Sequence, residues 1–219
     1  MSELNEEEVK YSPKLLVLGD GFIGKSDIIY RILHDEFPEL DYNTFGVDIK
    51  TKLMKIGNDV VKIIFYDSCG SIYFRDYPKI YYKKVNGYLL IYDITSRKSF
   101  DELEYWLNNF KYNNIMYNEI ICLIGNKTDL EEKREITYEE GRKFAEDNCF
   151  YFCEVSAKNG DGIDIMIKNV VEECIEKMKY DMEKKGKNKN ININKNINNS
   201  KAFNIIRENR EYEKCACSK

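Results

Sequence analysis

The stretch Gly19-Asp20-Gly21-Phe22-Ile23-Gly24-Lys25-Ser26 constrains this chain more than any other, because it fits the pattern G-x-x-x-x-G-K-[ST] in full and has the right neighbours. Upstream, Leu15-Leu16-Val17-Leu18 is a short apolar run of the kind that forms a buried strand. Downstream, Ile28, Ile29, Ile32 and Leu33 recur at helical spacing. A strand, a glycine-rich turn and a helix make a cradle for phosphate. The glycines let successive N–H groups turn inward, and the helix adds the positive end of its dipole. In such a cradle Lys25 reaches the β- and γ-phosphates and the Ser26 hydroxyl is an oxygen ligand for Mg²⁺. The nucleotide-contacting stretch is expected to run from Gly19 to Asp27.

The rest of the chain narrows the class. With 219 residues and 43% hydrophobic content it can bury one substantial core and carry a tail. No apolar run approaches the roughly 18 residues of a membrane span. The acidic start MSELNEEEVK has neither the charge nor the apolar stretch of a signal peptide, so a cytosolic protein is expected. Seven cysteines without metal-ligand spacing fit reduced thiols rather than a disulfide framework, and Ser2 excludes an N-myristoylation signal. Residues 179–219 hold eleven Lys/Arg against five Asp/Glu, a balance of +6, so the −4 of the whole chain leaves −10 for residues 1–178. A basic tail behind an acidic domain suits an anionic membrane surface better than nucleic acid, which would call for a basic face on the domain itself.

Taken in order, the chain alternates strand and helix. After the first helix, His34-Asp35-Glu36-Phe37-Pro38 breaks the pattern into a loop. Val47 to Ile56 and Val60 to Asp67 flank the turn signal Gly57-Asn58-Asp59, which predicts an antiparallel hairpin. Residues 71–84 are tyrosine-rich and poorly periodic, as in a mobile segment ending in a short helix. Further on, Gly87 to Tyr92 reads as a strand, Ser99 to Tyr112 as a helix capped by Ser99, and Glu119 to Gly125 as a strand. Thr137 and Glu140 form a capping box before a helix through Glu146; Phe150 to Val155 is a strand, and Ile163 to Met178 a closing helix. Alternation of this kind implies a parallel-dominated α/β sheet, with ligands bound at the carboxyl ends of its strands. The loops at Gly19, Asp67, Asn126 and Ser156 all fall there. Beyond Tyr180, eight of the nineteen residues from Gly186 to Asn204 are asparagine, a composition that builds no core and reads as a tether.

A phosphate loop alone leaves ATPases, kinases and GTPases open, and the base-reading elements decide among them. Asn126-Lys127-Thr128-Asp129 follows an apolar strand. The Asp129 carboxylate can accept from guanine N1–H and its exocyclic N2 amine, a donor pair that adenine does not present, and a site built on that contact rejects the wrong base strongly. Lys127 would lay its stem along the base. Ser156-Ala157-Lys158, also just after a strand, offers a backbone N–H to guanine O6. An ATP-using enzyme would have to carry both stretches as accidents.

With these residues in place, the chain resembles a small GTPase of the Ras superfamily, and specifically the Rab family, over roughly residues 12–178 and at its C-terminus. Thr44-Phe45-Gly46-Val47-Asp48 is similar to that family's switch I sequence T-I-G-V-D; Tyr81-Tyr82 and Leu90-Ile91-Tyr92-Asp93-Ile94-Thr95 resemble two further Rab stretches. The resemblance implies a small G domain with a six-stranded, mostly parallel sheet over residues 12–179. An N-terminal extension (1–11) would precede it and a hypervariable tail (180–219) follow it. It implies that Thr44 ligates Mg²⁺ and senses the γ-phosphate, that Phe37 packs on the guanine, that Asp67 holds Mg²⁺ through water, and that the Gly70 N–H meets the γ-phosphate. Lys25, Thr44, Gly70 and Ser71 would surround the reaction. It further implies GTP, GDP and Mg²⁺ as ligands. Partners would be effectors that read switch I and switch II, an exchange factor, an activating protein, the prenylation machinery and a GDP-dissociation inhibitor.

The departures from the family are concentrated in switch II. Where the family reads D-T-A-G-Q-E-R, this chain has Asp67-Ser68-Cys69-Gly70-Ser71-Ile72-Tyr73, so a serine stands where a glutamine orients the attacking water. Weaker intrinsic hydrolysis is expected, since orienting the nucleophile is one part of phosphoryl transfer. Activating proteins of the Rab family supply an arginine and a glutamine in trans, and Gly21 leaves room for that arginine; a guanine-nucleotide scaffold locked in its GTP form is the alternative. Tyr66 stands where the family usually has tryptophan. The ending Cys215-Ala216-Cys217-Ser218-Lys219 resembles Rab double-cysteine termini that are geranylgeranylated, which would place the protein on the cytoplasmic face of an endomembrane. Cys122, Cys149, Cys153, Cys174, His34 and Trp106 are expected to be packing residues.

Overall fold

A computed structural model describes residues 4–39, 44–71, 77–113, 115 and 119–187. Ile72, Tyr73, Cys215 and Cys217 lie outside the described residues, as does the asparagine-rich stretch beyond Lys187.

The sheet begins with β1 (Val9–Tyr11) and β2 (Lys14–Leu18), which run along the same edge of β4 (Asp59–Ser68), Val9 opposite Val60 and Lys14 opposite Ile64. They are one strand interrupted at Ser12-Pro13. Proline has no N–H to give the ladder, but its carbonyl still accepts from the Ile64 N–H at 2.9 Å, so the chain resumes in line. The expected six-stranded width therefore holds, and Val9–Tyr11, assigned from the sequence to an extension, pairs with β4 in line with β2. On the other side of β4 lies β3 (Val47–Ile56), antiparallel, from Val47 opposite Ser68 to Ile56 opposite Asp59. The turn between them puts Gly57 at φ 59°, which glycine adopts without strain. β5 (Gly87–Asp93), β6 (Ile120–Asn126) and β7 (Tyr151–Glu154) complete the order β3-β4-β2-β5-β6-β7, all parallel apart from β3.

Alternating side chains give the sheet two apolar faces. Leu15, Val17, Leu89, Ile91, Cys122 and Ile124 join Ile28 and Ile32 of α1 (Lys25–His34) and Met166, Val170 and Cys174 of α5 (Ile163–Lys187). Leu16, Leu18, Tyr88, Leu90, Tyr92, Ile121 and Leu123 face the other way, against Leu103, Trp106 and Phe110 of α3 (Leu103–Tyr112) and Ala145 of α4 (Tyr138–Asp147). Both faces of the central strands are covered, which is why those runs read as continuously apolar; each fully buried leucine or isoleucine contributes roughly 1.5–3 kcal/mol.

Four local differences from the sequence reading have physical causes. Ser99 does not cap a single helix. Ser96 caps α2 (Arg97–Asp101), and Ser99 is buried with its hydroxyl against the Asp93 backbone, so the chain breaks at Glu102 before α3. The closing helix continues nine residues beyond Met178, because Lys177 pairs with Glu119 and Lys179 lies over the Tyr11 ring. Cys149 is exposed in a left-handed turn after α4, not packed, whereas Cys122, Cys153 and Cys174 are buried. Trp106 is buried as expected, but His34 is exposed at the end of α1, stacked on Tyr30. The capping box forms: the Glu140 N–H donates to Thr137 Oγ1 and the Thr137 N–H to Glu140 Oε2.

Candidate nucleotide-binding site

The loop from Gly19 to Gly24 joins β2 to α1 at the carboxyl edge of the sheet. Gly24 ends it at φ 88°, and a Cβ there would lie 2.4 Å from Asn126 Nδ2, so neither the backbone angle nor the space admits a side chain. Ile23 is buried beneath the loop, while Phe22 sits at φ 62° with its ring almost wholly in solvent. Asp20 turns its carboxylate onto the Gly21 N–H at 2.9 Å. Lys25 is 6% exposed and donates to the Asp20 carbonyl at 2.6 Å; burial pushes its ammonium down to about 8, against the opposing pull of Asp67. A buried lysine whose ammonium rests on a carbonyl of the glycine-rich loop is poised for an anion that restores its charge.

Three oxygens from distant parts of the chain meet beside it. Ser26 Oγ donates to Asp67 Oδ2 at 2.7 Å and lies 2.8 Å from Thr44 Oγ1, and Thr44 Oγ1 is 3.4 Å from the same carboxylate oxygen. Burial raises the Asp67 carboxyl, and its Oδ1 is buried with no hydrogen-bond partner among the described residues. An orphaned carboxylate oxygen beside two hydroxyls is a donor set that suits a hard divalent cation such as Mg²⁺. The hairpin explains the convergence. β4 delivers Asp67, β3 starts just after Thr44, and the Cys69 N–H donates to the Gly46 carbonyl at 2.8 Å, tying both segments together.

Gly70 follows at once and packs on the phosphate loop. A Cβ there would be 2.2 Å from the Asp20 carbonyl oxygen and 2.4 Å from Lys25 Nζ. At Gly21 a Cβ would sit in ordinary van der Waals contact with the Gly70 carbonyl, 3.7 Å from its oxygen. Ser71 is half-buried, with its N–H 3.5 Å from Cys69 Sγ.

The base-reading stretches reach the same edge. Asn126, 1% exposed, donates from Nδ2 to the Ile23 carbonyl at 2.9 Å and accepts the Ala157 N–H on Oδ1 at 3.2 Å. One side chain thus links the phosphate loop to both base-reading loops. Of the backbone donors in the Ser156–Lys158 stretch, which is expected to offer an N–H to guanine O6, that of Ala157 is directed at Asn126 in this arrangement. Lys127 is left-handed at φ 72°, and its Nζ donates to the Phe22 carbonyl and to Asp93 Oδ2, both at 2.8 Å. Asp129 Oδ1 accepts from the fully buried Ser156 hydroxyl at 2.7 Å, which fixes the carboxylate's rotation; Lys158 is exposed. Phe37 lies 41% exposed after the end of α1, with its ring available at the surface.

Two residues of this architecture carried no role in the sequence reading. Arg31 of α1 donates from Nε to the Ala157 carbonyl at 2.9 Å, from Nη2 to the Lys158 carbonyl at 2.6 Å and from Nη1 to the Asp35 carbonyl at 2.7 Å, so the helix that opens on the phosphates also holds the Ser156–Lys158 turn. Its acceptors are main-chain carbonyls, which leave no mark in sequence. Asp93 was visible only as part of a family stretch; the signal for it is an acidic residue ending the strand beside the one that leads into Lys127.

Comparison with known proteins agrees with this geometry. The Ras family model matches residues 14–176. Ras-related protein Rab-18 of Lymnaea stagnalis is 33% identical over 173 residues, covering 79% of this chain and 85% of its own. Ras-related protein Rab-11B of Dictyostelium discoideum is 36% identical over 163 residues, 74% of each chain. A Ras-type fold, a phosphate loop with its lysine and hydroxyl in place, and relatives of this closeness lead to one conclusion: the chain belongs to the Ras superfamily of small GTPases, as a protein of the Rab type.

Proposed function

We propose that this protein is a guanine-nucleotide switch of vesicle-mediated membrane traffic that cycles between GDP and GTP forms and hydrolyses GTP slowly on its own. The observation that carries this reading is the pair of hydrogen bonds at Asn126, whose Nδ2 donates to the Ile23 carbonyl and whose Oδ1 accepts the Ala157 N–H, joining phosphate-binding and base-reading loops. On this reading, Gly19 to Asp27 enclose the phosphates, Lys127 and Phe37 cover the base, Asp129 reads its edge, and Ser156, Ala157 and Lys158 close the far side. Ser26, Thr44 and Asp67 would hold Mg²⁺, which would supply neutralisation of phosphate charge.

In hydrolysis a water attacks the γ-phosphorus in line with the β–γ bridging oxygen. The bond to that oxygen breaks, GDP leaves with the electron pair, and the water's proton departs with inorganic phosphate. Lys25 stabilises charge on the γ-phosphoryl, and the Thr44 and Gly70 N–H groups donate to it, drawing both switch segments into an ordered surface that relaxes after the phosphate leaves. Ser71, at the place of the water-orienting glutamine, is too short to hold the nucleophile, so an activating protein supplies that function in trans. Effectors, an exchange factor and a GDP-dissociation inhibitor act on the same switch surface. Cys215 and Cys217 are the prenylation sites by which the basic tail anchors it, and no helix among the described residues is long and apolar enough to cross a membrane.

Two measurements on the full chain test this. Asp129→Asn should shift base preference from guanine towards xanthine nucleotides, and an unshifted preference would count against Asp129 as the base reader. In single-turnover hydrolysis of preloaded GTP, Ser71→Gln should turn over several-fold faster than the native chain. If both bind GTP tightly and neither turns over, the protein is a binding scaffold set by exchange alone.

A further inference from the structure

Asp93 ends β5 opposite Asn126 in the β5–β6 register, so its carboxylate lies beside the start of the Lys127 loop. It is 6% exposed and held from several directions. Oδ1 accepts the Thr95 N–H at 2.8 Å and the Thr95 hydroxyl at 2.7 Å, and the Asp93 N–H donates to Ser99 Oγ at 3.0 Å. The carboxylate cannot swing, and Oδ2 is left facing Lys127 Nζ at 2.8 Å. The same ammonium donates to the Phe22 carbonyl of the phosphate loop at 2.8 Å. Lys127 is therefore pinned at three points: its left-handed backbone, the end of β5 and the phosphate loop.

A lysine stem is among the most flexible in proteins, and ordering it when a ligand arrives costs free energy that an already ordered stem does not. We propose that Asp93 is a positioning residue for guanine-nucleotide retention: it holds the Lys127 stem outstretched in advance, as a fixed wall for the base. This rests on the nucleotide-site reading above and adds to it a group that touches neither phosphate nor base. With Asp93 neutralised, the Lys127 ammonium keeps one anchor, the Phe22 carbonyl, and the stem samples other rotamers; the cost of gathering it reappears as faster nucleotide release.

The test is release of a fluorescent GDP analogue from the full chain, chased with excess GDP. Asp93→Asn should release about tenfold faster than the native chain, the size expected for losing one charge-assisted hydrogen bond. Thr95→Val, which removes one of the two hydrogen bonds on Oδ1 and keeps the backbone one and the charge, should release faster by a smaller factor. The deciding readout is the double-mutant cycle: in a Lys127→Met background neither change should add anything, because Asp93 acts only through that ammonium. A merely structural role for Asp93 would accelerate release equally in both backgrounds and would overturn the proposal, as would an unchanged rate in Asp93→Asn. Failure of the native chain to retain GDP would overturn the nucleotide-site reading and this inference together, whereas tight native binding with an insensitive Asp93 removes this inference alone.

Discussion

Phe22 sits in a conformation that costs most side chains about 1–2 kcal/mol, at φ 62°, with a ring 89% exposed that gains little from burial. Its carbonyl nonetheless receives the Lys127 ammonium. Glycine would reach the same backbone angle without strain while losing more entropy on folding, so Phe22→Gly should be stabilising by up to about 1 kcal/mol. Phe22→Val, with a β-branched side chain forced left-handed, should be destabilised by about 1 kcal/mol or more. Urea unfolding of the nucleotide-free protein gives the ranking Gly above Phe above Val if the strain is real. At this scale the sequence told unevenly. Lys25, Ser26, Asn126 and Asp129 could be placed together at one edge of the sheet from the sequence, because their two motifs each follow an apolar strand. Arg31 and Asp93 could not, because the partners that matter to the site, Ala157 and Lys158 for Arg31 and Lys127 for Asp93, are distant in sequence and only the folded sheet brings them near. Phe22 gave no warning either, since a left-handed angle is imposed by the loop and not by the residue.

Helix α4 shows how closely an element can be set on a sheet. Gly141 in its middle would place a Cβ 2.3 Å from Tyr92 Oη and 2.8 Å from the Phe152 ring. On an exposed helix, Gly→Ala gains about 1 kcal/mol; here the methyl group collides, and Gly141→Ala should cost about 1–3 kcal/mol in urea unfolding. Tyr92 Oη is buried and has no hydrogen-bond partner among the described residues, so Tyr92→Phe should be neutral or stabilising by about 1 kcal/mol, and should relieve part of the Gly141→Ala cost in the double variant. Equal costs in both backgrounds would mean that the hydroxyl is not the obstacle. The start of α4 was written in the sequence by its capping box, but the depth to which Gly141 sinks was not. Strand and helix types were legible for β2 to β7 and for α1, α4 and α5 from apolar period and turn residues, whereas β1 and the division of α2 from α3 were not. Ends were not: Ser99 looked like a cap and is a buried bracket for Asp93, and α5 runs on past its apolar pattern because Lys177 and Lys179 find partners on other elements.

Across the whole molecule, α5 returns along the sheet from the nucleotide edge to the opposite one, where Cys174 meets the Asn86 carbonyl before β5, Lys177 pairs with Glu119 before β6, and Lys179 covers Tyr11 of β1. Burial raises the Glu119 carboxyl, against the opposing hydrogen bond and charge of Lys177 and helped by Asp181. A carboxyl raised above its unfolded value of 4.5 favours the fold most at low pH, and that advantage fades as pH climbs through the folded value. Lys177→Met leaves Glu119 half-buried without its ammonium, so it should cost about 1–3 kcal/mol near pH 8 and less near pH 5, where Glu119 protonates more readily. A cost independent of pH would show that Lys177 contributes by packing alone. At 1.5 Å per residue the 25 residues of α5 span about 37 Å, enough to carry the chain from one pole of the molecule past the other. The chain therefore leaves the described residues at the end of α5 remote from the Gly19–Gly24 loop, and any force applied beyond Lys187 would enter the molecule through the contacts of Lys177 and Lys179 rather than through that loop.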